Sequence, residues 1–148
     1  MDGVYKPRRE LQNYLGNIPN KLWASGNHNF GGFSDSSLYL PTRNELERFL
    51  RENAVRDADD FDEGFDCDDY SFVLKGRAAI FGKRRLGLQH SMCLGITWGY
   101  FGWVQDGRAF HCCNWVIEND KNFLWIEPQD GSFHRLDECA GGLTLMLV

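Results

Sequence analysis

Cys67 stands in the run Phe65-Asp66-Cys67-Asp68-Asp69-Tyr70, at the start of a segment whose apolar residues recur at helical spacing. A thiol in the first helical turn meets unpaired backbone N–H groups and the positive end of the helix dipole, and both favour the nucleophilic thiolate. The flanking carboxylates of Asp66, Asp68 and Asp69 work the other way, raising a thiol's pKa unless a cation approaches. The local sequence therefore calls for a histidine from elsewhere in the chain. His111 is the best placed of the four histidines. It lies in an alternating strand, with Phe110, Cys112, Asn114 and Val116 on one face and His111, Cys113, Trp115 and Ile117 on the other. The next strand ends in Ile126-Glu127-Pro128; if the hairpin loop centred on Asn119 is odd in length, Glu127 sits directly across from His111, with Cβ atoms about 5 Å apart, whereas an even loop sends it to the opposite face. A carboxylate there holds one ring nitrogen and favours the imidazolium. The chemistry open to such a group is acyl transfer: Cys67 attacks an amide carbonyl, His111 protonates the leaving amine, and water or another amine resolves the thioester. The oxyanion would be met by the Cys67 backbone N–H and a side-chain donor from upstream, with Gln12, Trp23 and Asn27 as candidates.

The elements that must position these residues are read as follows. Thr42 and Glu45 form a capping box ahead of Leu46, Phe49 and Leu50, predicting a helix over residues 43–53. Tyr70, Val73, Leu74 and Ile80 predict a second helix that begins at Asp66 or Cys67 and ends near Gly82. Strands are expected at residues 91–100, 109–117, 123–127 and 143–148. Helices first and strands after indicate an α+β domain, with N-terminal helices packed on a C-terminal antiparallel β-sheet. Residues 1–37, rich in Gly, Asn and Ser, read as an irregular arm on a core of residues 38–148, the whole being a single domain.

The chain has 148 residues, 43% of them hydrophobic and 14% aromatic, which suffices for a packed core and excludes intrinsic disorder. A net charge of −5 argues against nucleic acid as a partner. The five cysteines are odd in number and form no CxxC pair, so they read as reduced thiols. The opening MDGVYKPRRE lacks the apolar core of a signal peptide, and the longest apolar stretch is too short to span a bilayer. A soluble, cytoplasmic protein without membrane attachment is expected. The acidic residues Asp57, Asp59, Asp60, Asp62 and Glu63 lack full EF-hand spacing, because Phe61 occupies the fifth position, and are candidate calcium ligands only in a looser sense.

The segments FDCDDYSFVLKG and AFHCCNWVIENDKNFLWIEPQDG resemble the cysteine-peptidase domain at the C-terminus of fungal ricin-type agglutinins and its bacterial and phage relatives, whose motifs run DCDDF, HAxN and IEPQ. The resemblance covers residues 39–148. It implies a papain-like fold of the papain and transglutaminase superfamily, with Cys67 as nucleophile, His111 as general base and Glu127 as orienting acid. It further implies a peptide or protein substrate and calcium ordering the Cys67 helix, with no other cofactor required. Cys112 stands where the family has alanine, while Asn114 matches. The DCxx element alone is also similar to peptidoglycan amidases of the NlpC type. The expected function is thus a thiol hydrolase, a cysteine peptidase or amidase. A peptidoglycan amidase and a transglutaminase-like acyltransferase stand beside it, and a non-catalytic binding module using an aromatic cleft is the alternative of another class.

Overall fold

The computed structural model describes residues 2–24, 35–53, 55, 66–144 and 146–147. Strand β1 (Val4–Pro7) leads directly into helix α1 (Arg8–Leu15), on which Leu11 and Leu15 form a buried i, i+4 pair. Ile18, Leu22 and Trp23 continue that apolar stripe through a short 3-10 turn at Asn20–Leu22. Strand β2 (Ser37–Leu40) returns antiparallel to β1, with Tyr5 opposite Tyr39.

Helix α2 (Arg43–Asn53) starts where the capping box predicts: Thr42 N–H donates to Glu45 Oε2 at 2.9 Å, and Glu45 N–H donates back to Thr42 Oγ1 at 3.2 Å. Helix α3 (Cys67–Arg85) begins at the cysteine and runs three residues past the expected Gly82. Its length is consistent with basic Lys83, Arg84 and Arg85 in the last turn, where cations complement the helix dipole.

The remaining strands are β3 (Leu94–Phe101), β4 (Phe110–Ile117), β5 (Phe123–Ile126), β6 (Phe133–Arg135), β7 (Cys139–Gly141) and β8 (Met146–Leu147). They form an antiparallel sheet in the order β6-β5-β4-β3-β7, with β8 also on β3. Period-2 alternation divides the core between the two faces. Leu94, Val116, Leu124 and Ile126 pack with α2 and α3, whereas Phe101, Cys113, Trp115, Ile117, Phe123 and Trp125 pack with α1 and Leu22-Trp23.

The papain-like arrangement expected from sequence is corrected. Helices do not all precede strands or share one side, since β1 and β2 bracket α1, and α1 covers the face of the sheet opposite α2 and α3. The described part of the arm, residues 2–24, is likewise a strand, a helix and a turn, because Leu11, Leu15, Ile18 and Leu22 give it a continuous buried edge.

Candidate functional site

Asp66 occupies the N-cap of α3, where its N–H donates to Asp69 Oδ2 at 3.1 Å. Cys67 follows as the first helical residue, with its thiol half-buried beside β4. Burial pushes that thiol above its ordinary value. The Cys112 backbone N–H facing it opposes the shift, and the charges of Asp66 and Asp68 add to it. Asp66 is itself raised by a hydrogen bond shared with Asp68. The Asp66, Asp68 and Asp69 carboxylates lie within 4.8 Å of one another, and among the described residues they form the one such group of three potential ligands for a hard cation. The calcium candidates Asp57, Asp59, Asp60, Asp62 and Glu63 lie outside the described residues, as does Asn27.

His111 and Glu127 come together on the other face of the sheet. The β4–β5 register pairs Ile117 with Phe123 and Asn114 with Ile126, so the five-residue loop is odd but centred on Asp120. Extending that register sets Glu127 opposite Cys113, diagonal to His111 and one step off the expected alignment. A glutamate spans that diagonal: His111 Nε2 bonds Glu127 Oε2 at 2.6 Å. Trp103 Nε1–H donates to the same oxygen at 3.0 Å, and the Gln129 N–H donates to Oε1 at 3.2 Å. Both residues are nearly enclosed, His111 at 8% and Glu127 at 6% exposure. Trp103 in turn stacks on His134, with ring centroids 3.9 Å apart and planes 8° from parallel.

The Cys67 thiol meets β4 at the Cys112 backbone N–H, one residue from His111. Asn114 Nδ2 donates to Ser71 O on α3 at 3.0 Å, so the even-numbered residues of β4 face α3 and the odd-numbered ones, His111 included, face away. Among the described residues, no hydrogen bond joins the Cys67 thiol to His111. Gln12 lies on the exposed side of α1, and Trp23 is buried next to Leu143, with which it pairs; neither is hydrogen-bonded to Cys67.

Cys67 borders a cluster of aromatic rings. Phe72, five residues along α3, is 48% exposed and tilts against Trp98, at 6.3 Å between ring centroids. Tyr100 and Phe110, opposite each other on β3 and β4, meet edge to face at 5.5 Å and are also partly in solvent. Trp98 pairs with Cys112 in the same ladder, which places its ring, the two cross-strand rings and the Cys67 helix start on one end of one face. Alternation gave the face of these rings. It could not show that α3 stops short of covering them.

The agglutinin C-terminal family matches residues 39–133. The chain belongs to that family. No curated protein matches the chain. Among the solved structures that share its fold, two do so across 98% of its length. One is a PSL1a-E64 complex, at TM-score 0.74 and 19% identity; the other is Polyporus squamosus lectin bound to the human-type influenza-binding epitope Neu5Aca2-6Galb1-4GlcNAc, at TM-score 0.72 and 18% identity. The chain spans about half the length of each, 51% and 50% respectively.

These findings correct the peptidase reading. The family is described by its place in an agglutinin, and the papain-like label gives way to the fold shared with the Polyporus squamosus lectin chain. The thiol hydrolase, its amidase and acyltransferase variants, and the peptide substrate lose their basis together. No described helix is long and apolar enough to cross a membrane.

Proposed function

We propose that this chain is a ligand-binding module, and that its ligand is a glycan seated on the aromatic platform of Phe72, Trp98, Tyr100 and Phe110, bordered by Cys67. The observation that carries this reading is the cluster of three exposed rings, Phe72, Tyr100 and Phe110, with the half-buried Trp98 against Phe72, at one end of the α3 face. Isolated exposed apolar side chains need no explanation, but a contiguous patch of them marks a binding surface. Ring faces offer apolar area to the C–H face of a pyranose, while ring edges and the nearby carboxylates of Asp66 and Asp68 can order its hydroxyls. The lectin with this fold, bound to a sialylated trisaccharide, supplies the ligand class. In this reading His111 and Glu127 act as a buried polar tie that fixes β4 against the loop after β5, and Cys67 is a wall of the site.

Titration calorimetry with the sialylated trisaccharide and its asialo form tests the proposal. Saturable binding is expected, with Trp98→Ala and Tyr100→Ala each weakening it by about tenfold, as for aromatic anchors of a binding surface. Iodoacetamide at alkaline pH, where a thiol ionises, is a probe for the wall: bound glycan should slow its addition to Cys67. Absence of glycan binding by the folded chain overturns the reading, and so does release of product from an amide substrate that depends on Cys67.

A further inference from the structure

On the face of the sheet opposite the aromatic platform, a cavity of about 630 Å³ opens between α1, the Asn20–Leu22 turn, the β4–β5 turn and the Leu136–Glu138 turn. Its volume is that of a site for a small organic ligand. Leu22, Phe123 and Leu136 give it an apolar floor, and Lys21, Lys121 and Arg135 stand on its exposed rim. The rim carries one carboxylate, Asp137, whose Oδ1 lies 3.2 Å from Arg135 Nε. Among the described residues, the Lys21 and Lys121 ammonium groups have no such partner. The rim therefore has an excess of two positive charges in a chain whose net charge is −5.

Lys121 is a second pointer. Its φ is +69°, in the left-handed region that favours glycine or asparagine, and the turn holds it there through its N–H to Glu118 O at 2.8 Å and a hydrogen bond from Tyr14 O–H to its own carbonyl. A lysine in that conformation costs backbone energy that glycine would not, and such strain is found where a side chain is needed. Here it sets an ammonium over the cavity mouth while Tyr14 ties the turn to α1.

We infer that this cavity binds an anionic amphiphile, an alkyl or aryl body ending in a carboxylate. The hydrocarbon belongs on Leu22, Phe123 and Leu136, and the carboxylate between Lys21 and Lys121. A hydroxyl-rich glycan fits the floor poorly, and a cation of any shape meets like charge at the rim.

Dodecanoate below its micellar concentration is the probe, and dodecyltrimethylammonium, with the same tail and opposite charge, is the control. Calorimetry should show dodecanoate binding at one site per chain, with the cation weaker by roughly tenfold or more. Added salt and the charge reversals Lys21→Glu and Lys121→Glu should each reduce dodecanoate affinity, whereas Trp98→Ala on the other face should not. Lys121→Gly removes the charge and relieves the positive φ, so its folding is secure, and it too should bind dodecanoate more weakly. Equal binding of the two amphiphiles, affinity indifferent to both lysines, or no dodecanoate binding by the folded chain overturns the inference.

Discussion

His111 and Glu127 illustrate how a buried charge is tolerated. Glu127 receives the imidazole Nε2, the Trp103 indole N–H and the Gln129 backbone N–H, so its carboxylate is surrounded by donors although almost no water reaches it. Three charge-assisted bonds converge on one group, and each is stronger than its neutral counterpart. Trp103 does not simply fill space, since its ring is clamped against His134, which is itself held between Ser132 Oγ at 2.8 Å and Glu138 Oε1 at 3.2 Å. Glu127→Gln keeps the volume but removes the charge and presents an amide N–H₂ to donors. A loss of about 1–3 kcal/mol is expected by urea denaturation, the range for weakening a buried hydrogen-bonded charge. Unchanged stability would mean that the pair is solvated and carries no structural load.

At the level of elements, α2 shows which parts of the fold the sequence makes legible. Its start and end are read correctly from Thr42, Glu45 and the Leu46/Phe49/Leu50 stripe, because a capping box and an apolar face are local signals. Helix α1 carries an equally local stripe, Leu11, Leu15, Ile18 and Leu22, but the glycine- and asparagine-rich composition downstream of it masks that signal. The hairpin is legible only in part: alternation puts His111 and Glu127 on one face if the loop is odd, but the loop's parity and its centre, which lies one residue on at Asp120 with Lys121 at a positive φ, are not set by residue type. Glu45 also does more than cap. Its carboxylate accepts bonds from the Asp2 N–H at 2.9 Å and the Tyr39 hydroxyl at 2.8 Å, joining the chain's first residues to α2. Burial alone would raise its pKa, yet these donors and the Thr42 N–H hold it below the ordinary carboxylate value. A depressed folded pKa stabilises above the unfolded value and is lost as pH falls through the folded one. Glu45→Gln should therefore cost about 1–2 kcal/mol at neutral pH, and the gap from the parent should close below about pH 4, near the unfolded carboxylate value. A gap constant down to acid pH would show that the cap works by geometry alone.

For the whole molecule, the odd cysteine count acquires a physical meaning. Cys93, Cys112, Cys113 and Cys139 are all buried free thiols, distributed over both faces of the sheet and its edge, and burial raises each above its ordinary value, Cys93 and Cys112 to about 12. Such groups behave as small apolar side chains so long as they stay protonated. Tyr39, also buried, is raised as well, first by burial and then by its bond to Glu45. The sign is common to all of them: with the folded pKa above the unfolded one, stability is whole below the unfolded value and drains away as pH climbs toward the folded one. The unfolded thiols ionise near 9.0, so the loss begins there and continues to about 12 for Cys93 and Cys112. Each fully shifted thiol can withdraw on the order of 4 kcal/mol across that window, a sizeable fraction of the stability of a domain this size. Denaturation midpoints should accordingly be flat from about pH 6 to 8 and fall steeply above about pH 9. In Cys93→Ala, which loses little volume, the alkaline fall should be shallower although the neutral midpoint is slightly lower. An alkaline limb identical in Cys93→Ala and the parent would place the ionising groups outside the core and sink the argument.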